Sequence, residues 1–188
     1  MESEPQVKSL TLVALRELLS TRFVEERGGP ALTAVWSALE PDTFHEIQSA
    51  DIAGWASERT LNEVMRTVFD VGFEGDRDAY VRFVMELSGD GINRFLKIIL
   101  SLMSARFVLL RVPAVWAHLR RNSARVTAER AGEGIRVRYD GFPFFGHEAY
   151  RLLSLANCQA LVLAATGDIP QGRVVEWSED TLELFFEL

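Results

Sequence analysis

Three histidines and one cysteine are the first side chains to weigh for proton transfer, nucleophilic attack or metal binding in this 188-residue chain. His45, His118 and His147 fall on different predicted elements. A tetrahedral metal site needs its ligands to converge, so each histidine is read as a surface or interface residue, with His147 in the first turn of a helix. Cys158 lies mid-helix among Leu155, Ala160 and Leu161. A nucleophilic cysteine wants an electropositive, partly exposed setting, so this one reads as a buried inert thiol. A single cysteine also excludes an internal disulfide and a multi-cysteine zinc site. No spacing offers a Ser-His-Asp set. Gly89-x-Gly91 and Gly132-x-Gly134 match no phosphate-binding pattern and read as turns. Asp76-Arg77-Asp78 is a helix start, not a carboxylate pair for acid-base work. The residues suggest no catalytic constellation, no metal and no enzyme.

Two non-catalytic groupings remain. Trp55, Phe95, Met103, Phe107, Trp116 and Phe142 are candidates to line an apolar pocket, with Arg106 or Arg111 orienting a ligand. The competing reading is that these aromatics are simply core. The second grouping is electrostatic. The chain carries a formal charge of −7, yet residues 94 to 138 hold ten Arg or Lys against Glu129 and Glu133. That segment is +8 and leaves −15 on the rest. Arg120, Arg121, Arg125, Arg136 and Arg138 are candidates for a basic face that meets an acidic protein partner. Nucleic acid is disfavoured, because the whole chain is acidic and no recognition motif is present.

The elements that must position these residues can be read from periodicity. The composition, 48% hydrophobic and 25% charged, is that of a folded globular chain. Residues 1 to 8 read as a loose acidic tail, and 9 to 188 as one α+β domain. Leu12, Leu15, Leu19 and Phe23 mark a first helix; Leu32, Val35, Trp36 and Leu39 a second. Leu61, Val64, Met65, Val68 and Phe69 mark a third, starting behind Ser57. Ala79, Tyr80, Phe83, Val84 and Leu87 mark a fourth. The stretch Ile92 to Arg121 reads as a mostly buried central helix pair with a break near Ser101 to Ser104. The period then turns to alternation: one hairpin about Gly132-Glu133-Gly134, one about Ser178-Glu179-Asp180. A long helix from about His147 to Ala165 lies between them. The fold expected is thus an N-terminal helical bundle followed by a small antiparallel sheet made of two hairpins with one long helix between them. The long helix has no charge from Leu152 to Gly167. Its second cover comes from the N-terminal helices or from a second copy, and a homodimer is expected. The N-terminus lacks a signal-peptide pattern, and Arg106, Arg111 and Pro113 disfavour a membrane span in the central stretch. A cytoplasmic location is expected.

The order of features carries a resemblance. Arg22-Phe23 is followed by Gly-Pro-Ala-Leu-x-x-Val, and a Trp55 segment leads into the 57 to 72 helix. A central pair ends in Ala114-Val115-Trp116. A basic hairpin, Gly141-Phe142-Pro143, a long helix and a closing hairpin follow. This resembles a poorly characterised domain family abundant in myxobacteria. More remotely it resembles the superfamily that joins 4-vinyl-reductase-type sensor domains, TRAPP vesicle-tethering subunits and haem-nitric-oxide-binding domains. The resemblance implies an α+β domain that holds a small apolar ligand, or a dimerising scaffold. The cysteine-rich zinc site of the sensor members has no counterpart here. The Tyr-x-Ser-x-Arg motif of the haem-binding members is also missing: Tyr80 is followed by Val81, Arg82, Phe83 and Val84. No cofactor is therefore carried over. The expectation is a non-enzymatic cytoplasmic regulatory domain in bacterial signalling, binding a small apolar ligand or a protein partner. The alternative is a ligand-free dimerising scaffold.

Overall fold

The computed structural model describes residues 4–91 and 103–188. Helix α1 (Leu10–Leu18) runs through a π-helical turn (Leu19–Phe23) into α2 (Val24–Arg27). Leu12, Leu15, Leu19 and Phe23 are fully buried, as their spacing requires. Gly28, at φ 87°, turns the chain into α3 (Gly29–Ser37), with Pro30 in its first turn. Helix α4 (Pro41–Ser49) follows. Helix α5 (Glu58–Thr67) starts where Ser57 Oγ accepts the Arg59 N–H, and it continues as a π-helical turn (Val68–Gly72). A Cβ on Gly72 would stand 2.8 Å from the Phe23 ring, so glycine lets these helices approach. Phe23, Phe73 and Phe83 meet edge-on or tilted at 5.3–6.0 Å.

Asp76 Oδ1 accepts the Asp78 and Ala79 N–H groups at the head of α6 (Arg77–Gly91). The first half of the expected central pair, with Phe95, lies outside the described residues. Its second half is two short helices, α7 (Ala105–Leu110) and α8 (Val112–Leu119). Ser104 Oγ accepts the Phe107 N–H at the start of α7, which places a helix start at the end of the expected break.

Two hairpins form one antiparallel sheet. Strands β4 (Arg125–Ala131) and β5 (Gly134–Asp140) pair from Arg125↔Asp140 to Ala131↔Gly134. Strands β6 (Gly172–Trp177) and β7 (Thr181–Glu187) make the second hairpin. They join through β5 and β7, giving the order β4-β5-β7-β6. Ile135, Val137, Tyr139, Leu182, Leu184 and Phe186 all face inward and are buried. The long helix α9 (Glu148–Thr166) lies between the hairpins in sequence. Helices α6, α7 and α5 and strand β6 pack on it, and from Glu148 to Ala165 no residue is exposed. The homodimer was expected because this helix needed a second cover. Its own chain supplies cover along the helix, with Leu152, Leu155, Leu161 and Leu163 left half-buried.

The loose tail expected over residues 1 to 8 is corrected at its end. Gln6–Lys8 form β1, the middle strand of a second sheet, between β2 (Trp55–Ser57) and β3 (Arg120–Arg121). Val7 is fully buried there. Strands this short carry too few residues for alternation to be read. Their stability comes from pairing across the chain, as in Gln6↔Arg121. No described helix is long and apolar enough to cross a membrane.

Candidate functional site

Strand β3 decides the fate of two arginines. Consecutive strand residues point to opposite faces. Arg121 stays outside, stacks on Trp55 at 4.6 Å and donates to Gln6 Oε1. Arg120 points inward with 6% of its side chain exposed. Its Nε lies 3.3 Å from Glu58 Oε2, and its guanidinium stacks on Trp116 at 4.0 Å. Its Nη2 donates to the Tyr150 hydroxyl at 3.4 Å, and that hydroxyl donates to Glu58 Oε1. Glu58 is fully buried in the first turn of α5, where the helix dipole favours an anion. Burial works against the Arg120 charge, but Glu58 and Tyr150 outweigh it and hold its pKa above the ordinary value. A buried pair offsets its desolvation only with such geometry.

Around this knot the interior is filled ring against ring. Trp116 lies 5.0 Å from Tyr139 and 5.4 Å from Phe142. Phe142 lies 5.2 Å from both Phe145 and Tyr150. Tyr139 meets Phe145 at 5.7 Å, and its hydroxyl is 3.6 Å from Cys158 Sγ. Burial pushes the Cys158 thiol up to about 12 and both tyrosine hydroxyls well above their ordinary value, so all three are neutral.

Of the pocket candidates, Trp116 and Phe142 touch each other inside the fold. Phe107 is 41% exposed with Arg111 stacked on it at 5.0 Å, so this pair faces outward. Met103 is half-buried against the core. Trp55 lies across β3 from Trp116. Phe95 is outside the described residues. Two surface hollows are bordered by described residues, both around Ile169, Pro170 and Gln171. Glu58, Tyr139, Phe145 and Tyr150 were missed from sequence. Glu58 looked like an ordinary helix start, and no spacing ties it to Tyr150, 92 positions away.

The basic face is likewise corrected. Arg120 is internal. Arg136 pairs with Glu183 at 3.0 Å and Glu129 at 3.5 Å. Arg138 pairs with Asp140 at 2.9 Å and Glu183 at 3.4 Å. Arg125 is exposed on the edge strand β4. Counting charge along residues 94 to 138 missed Asp140, which follows that window, and Glu183, which arrives on β7.

The histidines stay at the surface. His45 is exposed on α4, and His118 Nε2 lies 3.2 Å from Lys8 Nζ. His147 Nδ1 accepts the Ala149 N–H at the head of α9, and its Nε2 is 3.3 Å from Asp70. Burial, helped by Arg66 and Arg151 and opposed by Asp70, lowers its pKa.

No protein-family model and no curated protein matches this chain. Solved structures do. An Fe(II) unliganded H-NOX protein variant from K. algicida is 8% identical, covers 96% of this chain and 95% of its own, and has a TM-score of 0.62. A structure from work on heme distortion in the H-NOX family is 14% identical, covers 96% and 94%, and scores 0.57. An oxygen-binding H-NOX domain related to soluble guanylate cyclases is 13% identical, covers 95% and 90%, and scores 0.54. At these identities the likeness is one of fold. That fold implies haem, and the residues present do not fit it. A haem iron takes an axial His, thiolate, Met or phenolate. All three histidines are at the surface, Cys158 and Tyr139 are in contact with each other, Tyr150 is held by Glu58 and Arg120, and Met65 is packed in the core. Residues 92 to 102 contain no His, Cys, Met or Tyr. Rings in mutual contact occupy the space between α8 and the sheet. The chain therefore has the α+β fold of the H-NOX domains, built around a core of its own aromatic side chains.

Proposed function

We propose that this chain is a haem-independent, non-enzymatic regulatory domain of the cytoplasm that acts through protein contacts. It is an H-NOX-type scaffold in which side chains take the place of a prosthetic group. One observation carries the reading: Trp116, Tyr139, Phe142, Phe145 and Tyr150 meet one another at 5.0–5.7 Å. Rings in contact leave no room between them for a ligand, since close packing already saturates their surfaces. Of the two expectations drawn from the sequence, the ligand-free scaffold is favoured over the holder of a small apolar ligand. The acidic partner loses its main support, because Arg136 and Arg138 are already paired with carboxylates.

The test is direct. The protein is produced in cells fed with a haem precursor, purified, and then titrated with hemin. The expected result is no Soret band that follows the protein and no shift of the free hemin spectrum. A solvent extract examined by mass spectrometry should hold no stoichiometric small molecule. Haem or a lipid at one equivalent per chain would overturn the reading.

A further inference from the structure

Strand β6 is an edge of the four-stranded sheet, with β7 on one side of it. No described strand lies on its other side. Among the nine large apolar side chains exposed in the described residues, four sit on or beside this strand. They are Ile169 (56%), Val175 (51%), Trp177 (50%) and Leu188 (41%). An edge that is both unpaired and apolar is a template for another strand.

The bulge in β6 decides what kind of strand fits. The Glu187 N–H donates to Gln171 O, and the Ser178 N–H donates to Thr181 O. Those two residues face β7. Alternation then turns the backbone N–H and C=O groups of their neighbours, Gly172 and Trp177, away from β7. Residues 172 and 177 differ in parity, so a regular strand would have them on opposite sides. The register shift between Val174 and Glu176 takes up the extra residue. Arg173 and Glu176 thereby also share a face, opposite Phe185 and Glu183.

A strand with this pattern is complementary to itself. Set antiparallel about a two-fold axis, Gly172 lies opposite the partner's Trp177, Arg173 opposite the partner's Glu176, and Val174 opposite the partner's Val174, with Val175 the extra residue of each bulge. Opposite charges meet at two symmetric places, where Arg173, already 2.6 Å from Glu187 of its own chain, is shared with the partner's Glu176. Glu176, whose partner position on β7 is Glu183, gains a cation beside it. Each indole, on one face of which Arg151 stacks at 3.8 Å, crosses to a position without a side chain. Phe186 and Leu155 atoms lie 2.5 and 2.9 Å from where a Gly172 Cβ would stand, so the floor there is apolar. A hollow bordered by Ile169, Pro170 and Gln159 adjoins it.

We propose that β6 pairs antiparallel with β6 of a second copy, joining two four-stranded sheets into one continuous sheet. The proposal is independent of whether the domain holds a ligand. It places the two-fold contact on the sheet edge, away from α9. The charge pattern, not exposure alone, selects a second copy as the occupant: an isologous contact requires self-complementary residues, and Arg173 with Glu176 supplies them.

Sedimentation of the intact protein over a range of concentrations tests this. A reversible monomer–dimer equilibrium is expected. Glu176→Arg and Arg173→Glu should each raise the dimer dissociation constant at least about tenfold, because like charges then stand directly opposite. The double variant Arg173→Glu with Glu176→Arg should return most of the affinity. Circular dichroism of each variant confirms that the monomer fold is kept. A monomer at every concentration, a dimer indifferent to both single changes, or a double variant no better than either single one would overturn the proposal.

Discussion

Removing one member of the Glu58–Arg120 pair should be among the most damaging single changes in this chain. Both side chains are at least nine-tenths buried, so solvent does not screen their interaction. In Glu58→Gln, the Arg120 cation keeps the Trp116 face and the Tyr150 hydroxyl but loses its counter-charge. In Arg120→Met, the Glu58 anion keeps only the Tyr150 hydroxyl among its described side-chain partners. Breaking a buried pair from one side costs about 3–5 kcal/mol. For a domain of this size each kcal/mol moves Tm by about 2–4 °C, so each single variant should melt about 6–20 °C lower. The double variant Glu58→Gln with Arg120→Met leaves no buried charge, and its stability should recover to within about 2 kcal/mol of the parent. Urea unfolding followed by circular dichroism gives the free energies, and the double-mutant cycle gives the coupling. Single losses below about 1 kcal/mol, or a double variant as unstable as the two losses added, would refute the argument that this pair is held by mutual compensation.

Three further outcomes follow from the surroundings of single side chains. All three tyrosines of the chain are buried, and burial raises each hydroxyl well above its ordinary value. A raised acid pKa contributes stability below the unfolded value that is lost as pH rises past it. Tyrosinate absorbance should therefore appear only with unfolding, above pH ~10. Native tyrosinate absorbance at the ordinary pKa would contradict the burial, and so would fast reaction of Cys158 with a thiol reagent. His147 has a lowered pKa, so it stabilises above its unfolded value of ~6.5 and that contribution fades as pH falls below it. Protonation removes the Nδ1 lone pair that caps α9, and His147→Asn should flatten the pH dependence of stability between about pH 5 and 7 while keeping a cap. An unchanged slope would assign that dependence to another group. Phe142→Ala should cost about 3–5 kcal/mol, whereas exposed Phe107→Ala should cost less than about 1 kcal/mol. Equal losses in chemical denaturation would mean that the two rings are not in such different surroundings.

The sequence by itself determined the local elements, because their signals are local. Helical stripes such as Leu61, Val64, Met65 and Val68 lie three or four residues apart, within one turn of each other. The hairpin turn at Gly132 and the change of period after Asn122 are equally short-range. From these the helical N-terminal part, the two hairpins and the long helix between them could be read, and with them the α+β class. Tertiary structure alone decided the rest. Gln6–Lys8 is a strand only because residues 55–57 and 120–121 arrive on its two sides. Charge counted along the chain made Arg136 and Arg138 a basic face, but Glu183 crosses from β7 to pair with both, and Glu129 and Asp140 supply further carboxylates. Spacing could not tell Arg120 from Arg121; the direction of one strand residue buried the first and exposed the second. The same holds for the aromatics. Apolar type predicts burial, yet whether rings surround a space or fill it depends on how closely α8, β5 and α9 pack, and that distance is a property of the assembled layers.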